Sequence, residues 1–169
     1  MRAQASAIVL TDFLSVATVL LRRLYVLLYM ELATRRVIWF AVTERPDAFW
    51  VSQQARNLCW ELAEIGVDAR FLNHDHDAKC GGGSDQVFKA EGIEVIKTPI
   101  AAPKTNAHME RQIGTTRREC LDWILIRNRH HLERVLAQWF EHYNRARPHR
   151  ALGLQPPSPA RTRWKWLDR

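Results

Sequence analysis

The sequence predicts an α/β domain: a mixed five-stranded sheet, three antiparallel strands followed by alternating strand and helix, flanked by helices. Two observations carry this. The N-terminal quarter holds three short segments rich in β-branched and aromatic residues, separated by charged turns. After it the apolar spacing changes to that of a helix, and short apolar runs then alternate with helical stretches.

The three strands are "AIVLTDFL" (7–14), "LYVLLYME" (24–31) and "VIWFAV" (37–42), with "ATRR" as one of the turns. The apolar run "VLLRRLYVLLYM" (19–30) is split by Arg22 and Arg23. Neither piece approaches the ~20 apolar residues of a membrane span, so it reads as buried strand. Val51, Ala55, Leu58, Leu62 and Ile65 then recur on one helix face, and Gly66 supplies the stop, which predicts a helix over roughly 47–65. "ARFLN" reads as a strand, "SDQVFKAE" as a short helix closed by Gly92, and "IEVIKT" as the fifth strand. From Thr105 a helix carries Met109, Ile113, Thr116, Cys120 and Ile124 on one face. After Asn128 a last helix carries Leu132, Val135, Leu136, Trp139, Phe140 and Tyr143.

Residues 1–147 are expected to form one catalytic-size domain and 148–169 a C-terminal tail rich in proline, arginine and tryptophan. Four of the chain's prolines fall between 148 and 159, so the tail is expected to be extended and poorly packed.

Charge narrows the partners. Lysine and arginine number 25 against 18 acidic residues, a net +7, and the pI is near 9.8. Basic residues cluster at Arg22–Arg23, Arg35–Arg36, Arg117–Arg118 and in "RARPHR" (145–150). Such a surface favours a polyanion, although a solvated basic face accounts for the same charge. Cys59, Cys80 and Cys120 are far apart, which argues against a disulfide framework or a zinc knuckle and for a reducing cytoplasm.

Three carboxylates stand where chemistry can use them. Asp12 lies within the first strand, Asp75 follows the strand "ARFLN", and Glu110 lies near the start of a helix, so all three can converge on one edge of the sheet. Hard divalent cations take oxygen ligands, and two such ions can clamp an in-line phosphoryl displacement. Arg117, seven positions after Glu110, returns to the same helix face within about 20° and can hold a phosphate. Glu119 lies on the opposite face and reads as a solvated or ion-paired residue. His74 and His76, which flank Asp75, form too small a cluster for zinc and read as polar turn residues.

The segments "TDFLSVATVLLRRLYVLLYMELATRRV", "FLNHDHDAKC", "APKTNAHMERQIGTTRRECLD" and "HYNRARPHRALGLQPPSP" together resemble the catalytic core of bacterial insertion-sequence transposases and retroviral-type integrases. This is the ribonuclease H-like Asp-Asp-Glu group, and the resemblance covers about residues 4–158. It implies a ribonuclease H-like fold and a metal-binding catalytic triad of Asp12, Asp75 and Glu110, with Asp75 preferred to Asp77 because the interval to Glu110 then fits the family's. It implies two Mg²⁺ (or Mn²⁺) ions during catalysis, DNA as substrate, and a homo-oligomer assembled on DNA. Phosphodiester cleavage and strand transfer are the expected reactions. Arg117, Arg118, Arg145, Arg147 and Arg150 are the expected DNA contacts; a helix C-terminus favouring basic residues explains those of "HYNRARPH" equally well.

Departures from the family are Ala17, in place of an acidic residue five positions after Asp12, Cys80 in place of an aromatic, and the run Gly81–Gly83, expected to loosen the loop beside Asp75. Because Asp12 comes so soon after Met1, the N-terminal DNA-reading region is expected to be missing. A truncated, catalytically silent remnant that binds DNA or dimerises with an intact transposase is the alternative. A nuclease acting on RNA in hybrids would share fold and metals, but "MERQIGTTRRECLD" and "YNRARPH" favour transposition. No membrane association is expected, and the setting is the cytoplasm of a bacterial cell, at the nucleoid when bound to DNA.

Overall fold

The chain's structure, a computed structural model, describes residues 7–74, 83–97 and 103–158. Its sheet contains β1 (Ile8–Ala17), β2 (Arg23–Glu31), β3 (Val37–Thr43), β4 (Phe71–His74) and β5 (Glu94–Lys97), in the order β3-β2-β1-β4-β5. β1, β2 and β3 pair antiparallel, whereas β4 joins β1 and β5 joins β4 in parallel. The helices are α1 (Ala48–Ile65), α2 (Gly83–Ala90), α3 (Pro103–Glu119) and α4 (Arg129–Arg145).

Successive strand residues point to opposite faces, and both faces are covered. Leu10 and Leu14 of β1, Val26 and Leu28 of β2, and Phe40 and Val42 of β3 join Met109 of α3 and Leu132, Leu136 and Phe140 of α4 in one apolar cluster. Val9, Leu27, Tyr29, Ile38 and Leu72 join Val51, Ala55, Leu58 and Leu62 of α1 and Phe88 of α2 in the other. A strand sandwiched in this way needs apolar residues at every position, which explains "LYVLLYM": from Val26 to Met30 β2 is completely buried.

Helix ends follow local chemistry. Asp47 caps α1 by accepting from the Trp50 N–H at 2.8 Å. Gly66 ends it with φ +69, a left-handed turn that glycine adopts without a Cβ penalty. Asn128 caps α4 by accepting from the His131 N–H at 2.9 Å.

At the edge strand the ladder is irregular. Met30 pairs with Val37 but Tyr29 with Trp39, so Ile38 is an extra residue and the strand bulges. Val37 is thereby turned toward the α3–α4 face, and its backbone groups meet a side chain rather than another strand. The Asn144 amide accepts from the Val37 N–H at 3.0 Å and donates to the Val37 carbonyl at 2.9 Å. Asn144, fully buried on α4, also offers its carbonyl to the Ser158 N–H at 2.8 Å.

Two expectations need correction. Ile124 does not share the face of Met109 and Ile113: α3 stops at Glu119, a single 3-10 turn follows over Leu121–Trp123, and Ile124 is partly exposed beyond it. The stretch 148–158 is not extended and loose, because His149 stacks edge-on against Tyr143 at 4.6 Å, bridges to Gln155, and the chain returns to α4 through Ser158.

Removing the Asn144 side chain leaves both backbone groups of Val37 without partners inside the protein. Asn144→Ala is expected to lower unfolding free energy by about 2–4 kcal/mol, against about 1 kcal/mol for the helix cap in Asn128→Ala. Urea unfolding of both variants checks this, and equal losses would contradict it.

Candidate active site

β1 supplies Asp12. Alternation sets it between Leu10 and Leu14 on the face covered by α3 and α4, where it is half-buried, and its Oδ1 accepts from the Phe13 N–H at 2.7 Å. Glu110 follows Met109 on α3. Met109 is buried in the same cluster as Leu10 and Leu14, while Glu110 is exposed to solvent.

The direction of α3 decides whether the two acids meet. Its early residues His108 and Arg111 line a cavity with Met30, the β2 partner of Leu10. Its late residue Arg117 donates from Nη2 to the Ser15 carbonyl at 2.8 Å. The helix therefore runs alongside β1 in the same sense. From the Arg117–Ser15 contact, seven helical residues back to Glu110 cover about 10 Å and three strand residues back to Asp12 also cover about 10 Å. Asp12 and Glu110 thus lie at the same level of the same face.

Asp75 lies outside the described residues, as do His76, Asp77, Cys80, Gly81 and Gly82. It follows His74 directly, and the last described β1–β4 pair is Thr11 with His74. Asp12 is the next residue along β1. Among the described residues no three histidine, cysteine or acidic side chains come together to hold a metal ion.

His74 is not a turn residue. It ends β4, is buried, and shares the Thr11 side of the sheet, with Nε2 3.5 Å from Oδ1 of Asp85 on α2. That points it away from the face of Asp12 and Glu110.

The expected DNA-contacting arginines fall into two sets. Arg117 is spent partly on Ser15, Arg145 pairs with Glu141 one turn earlier at 3.1 Å, and Arg147 grips Glu119 with two bonds of 2.8 and 2.6 Å. Arg118 and Arg150 are exposed and make no side-chain hydrogen bond or ion pair among the described residues. The Arg147–Glu119 fork, with the guanidinium also 5.8 Å from the Tyr143 ring centre, ties the end of α3 to the end of α4. Of the two readings the sequence allows for Glu119, solvated or ion-paired, the second holds, with a partner 28 positions on.

Electrostatics separates the thiols from the acids. Burial pushes the Cys59 and Cys120 thiols up to about 11, so neither is a nucleophile near neutral pH. The hydrogen-bonded Arg147 guanidinium holds the Glu119 carboxyl below its ordinary value, and Glu119 raises Arg147 in return.

Residues 91–157, which include Glu110, match the integrase core domain family. An insertion element IS476 39.2 kDa protein of Xanthomonas euvesicatoria is 39% identical over 67 residues, 40% of this chain and 19% of that protein. An insertion element IS407 31.7 kDa protein of Burkholderia multivorans is 35% identical over 74 residues, 44% of this chain and 27% of that protein. The chain thus corresponds to a small part of the length of these relatives. In structure it is similar to the Mos1 mariner transposase catalytic domain, with a TM-score of 0.63 at 17% identity over 80% of this chain and 70% of that one. A chain of the simian T-cell lymphotropic virus intasome gives 0.68 at 12% identity, over 95% and 58%. The HTLV-2 integrase catalytic core, solved with magnesium, gives 0.56 at 9%, over 89% and 93%. The fold is similar to the ribonuclease H-like fold of transposase and integrase catalytic domains, as the resemblance implies, and its five-stranded sheet is the one the strand pattern predicts.

Glu119 contributes stability that is complete above its ordinary pKa of 4.5 and is lost as pH falls through its lowered folded value. The stability difference between the unaltered chain and Glu119→Gln is therefore expected to be constant above the ordinary value of 4.5 and to shrink as pH falls from there through the lowered folded value. Thermal unfolding across a pH series measures it, and a difference independent of pH would contradict the ion pair.

Proposed function

We propose that this chain, an integrase/transposase-type core by its match over residues 91–157 and by its fold, cuts DNA phosphodiesters and joins the ends to new DNA. The observation that carries the reading is the placement of Asp12 and Glu110 at one level of one sheet face, beside the end of β4 from which Asp75 follows.

An all-oxygen donor set of Asp12, Asp75 and Glu110 fits Mg²⁺ or Mn²⁺, which prefer carboxylates over nitrogen or sulfur. Two such ions, when bound, supply activation of a water or 3′-hydroxyl and stabilisation of the departing 3′-oxygen. The chain's residues do the rest. The Phe13 N–H orients the Asp12 carboxylate, and Met109, buried in one cluster with Leu10 and Leu14, packs α3 on the face of the sheet that carries Asp12. Arg118 and Arg150 are free to take backbone phosphates, and Arg117 keeps further donors beyond the one given to Ser15. DNA is the partner, bound by more than one copy of the chain. A remnant that only binds DNA has the same basic surface, and activity separates the two.

Incubated with supercoiled plasmid and Mg²⁺, the chain is expected to nick and join DNA. Asp75→Asn is expected to lose more than about 100-fold of that rate, as removal of a metal ligand costs several kcal/mol at the transition state. DNA binding should be nearly unchanged. Equal rates in both proteins would remove Asp75 from the site, and inactivity in both with salt-sensitive binding retained would establish the remnant.

A further inference from the structure

A second polar feature lies on the other side of α3. His108, Gln112 and Thr115 point about 140–160° away from Glu110 around the helix. With Arg35 from the β2–β3 turn, Arg111, and Arg147 to Ala151 after α4, they line a cavity of about 350 Å³. Among the described residues, four arginines and two histidines contribute to its wall and no carboxylate does.

The cavity's cations are incompletely satisfied. Arg35 reaches His108 with Nη2 to Nε2 at 3.4 Å, but its Nη1 is buried without a partner among the described residues. Arg111, one residue from Glu110, is exposed, and its side chain makes no hydrogen bond or ion pair among the described residues. Arg147, already held by Glu119, is fixed in place as part of the wall. Buried donors without acceptors are costly. A further cost is visible in the backbone, since Arg35 sits in the left-handed region at φ +66, where a side chain other than glycine is strained. A turn residue held in strain to aim an unsatisfied guanidinium into a carboxylate-free cavity is built for an anion with several acceptor oxygens, and a phosphate group has them.

We propose that the cavity between the β2–β3 turn, α3 and the segment 147–151 holds a backbone phosphate of DNA, apart from the Asp12–Glu110 edge. The choice of DNA as the source rests on the function proposed above; anion binding by the cavity does not. The site adds an anchor on a second face of α3 and so fixes a DNA segment that the catalytic edge does not itself grip.

The test uses the full chain and two substitutions that spare the core: Arg35→Gly, which the left-handed backbone accepts, and Arg111→Gln on an exposed helix position. Each is expected to make the slope of log affinity for duplex DNA against log salt shallower by about one phosphate contact, whereas Asp75→Asn leaves the slope unchanged. Inorganic phosphate at constant ionic strength is expected to raise the melting temperature of the unaltered chain, and Arg35→Gly to abolish that rise. Unchanged slopes in both variants overturn the proposal. So does a phosphate effect lost in Arg35→Gly with an unchanged DNA slope, which would identify a free-phosphate site. Shallower slopes in a chain that cleaves no DNA would uphold the cavity's role and count against the catalytic reading alone.

Discussion

The buried amide of Asn144 is the constraint on which the arrangement of the α3–α4 layer rests. An edge strand with a bulge leaves backbone groups that no neighbouring strand can pair, and burying them unpaired is costly. Asn144 satisfies both groups of Val37 at once and, through its own carbonyl, holds Ser158. Because the same residue belongs to α4, the helix is set in register with the sheet rather than merely pressed on it. Phe140 then meets Phe40 at 5.1 Å, and Trp139 donates its indole N–H to the buried Thr116 hydroxyl of α3 at 3.3 Å. Non-directional apolar packing supplies most of the stability, but directional bonds of this kind choose one arrangement of helices over others that bury similar area.

The position of α3 matters because the proposed chemistry depends on it. The C-terminal end of the helix is pinned twice, by Arg117 on Ser15 and by the Glu119–Arg147 fork. A rotation of one residue, about 100°, would break the Arg117–Ser15 contact and take buried Met109 out of its apolar cluster. On the proposed reading, opposite sides of one helix carry different tasks, Glu110 toward Asp12 and the cationic residues toward the cavity.

Much of this was legible in the sequence. β2 and β3 announce themselves through continuous apolar and aromatic residues, α1 through its spacing with Gly66 as the stop, and α4 through Asn128 and an apolar face. What was not legible involves partners distant in the chain. Asn144 reads as one polar residue in a basic segment, since Val37 lies 107 positions away. His74 reads as part of a polar turn because its neighbours are polar; only the pairing with Thr11 reveals a buried strand end. Ile124 continues the helical spacing beyond the point where α3 stops, and spacing alone cannot see the stop. The first part of the proline-rich tail reads as loose by composition, yet the Tyr143–His149 contact and the Ser158 bond pack it. As for the proposed site, residue type and position single out Asp12 and Glu110 as candidates, while the run of α3 alongside β1 is a property of the fold.

Crystals of the full chain grown with a short DNA duplex and Mn²⁺ would give the most direct measurement, anomalous scattering that locates the ions. Peaks in contact with Asp12, Asp75 and Glu110 are the predicted result. Ordered DNA with no Mn²⁺ at these carboxylates, or Mn²⁺ bound only elsewhere, would contradict the three-carboxylate centre.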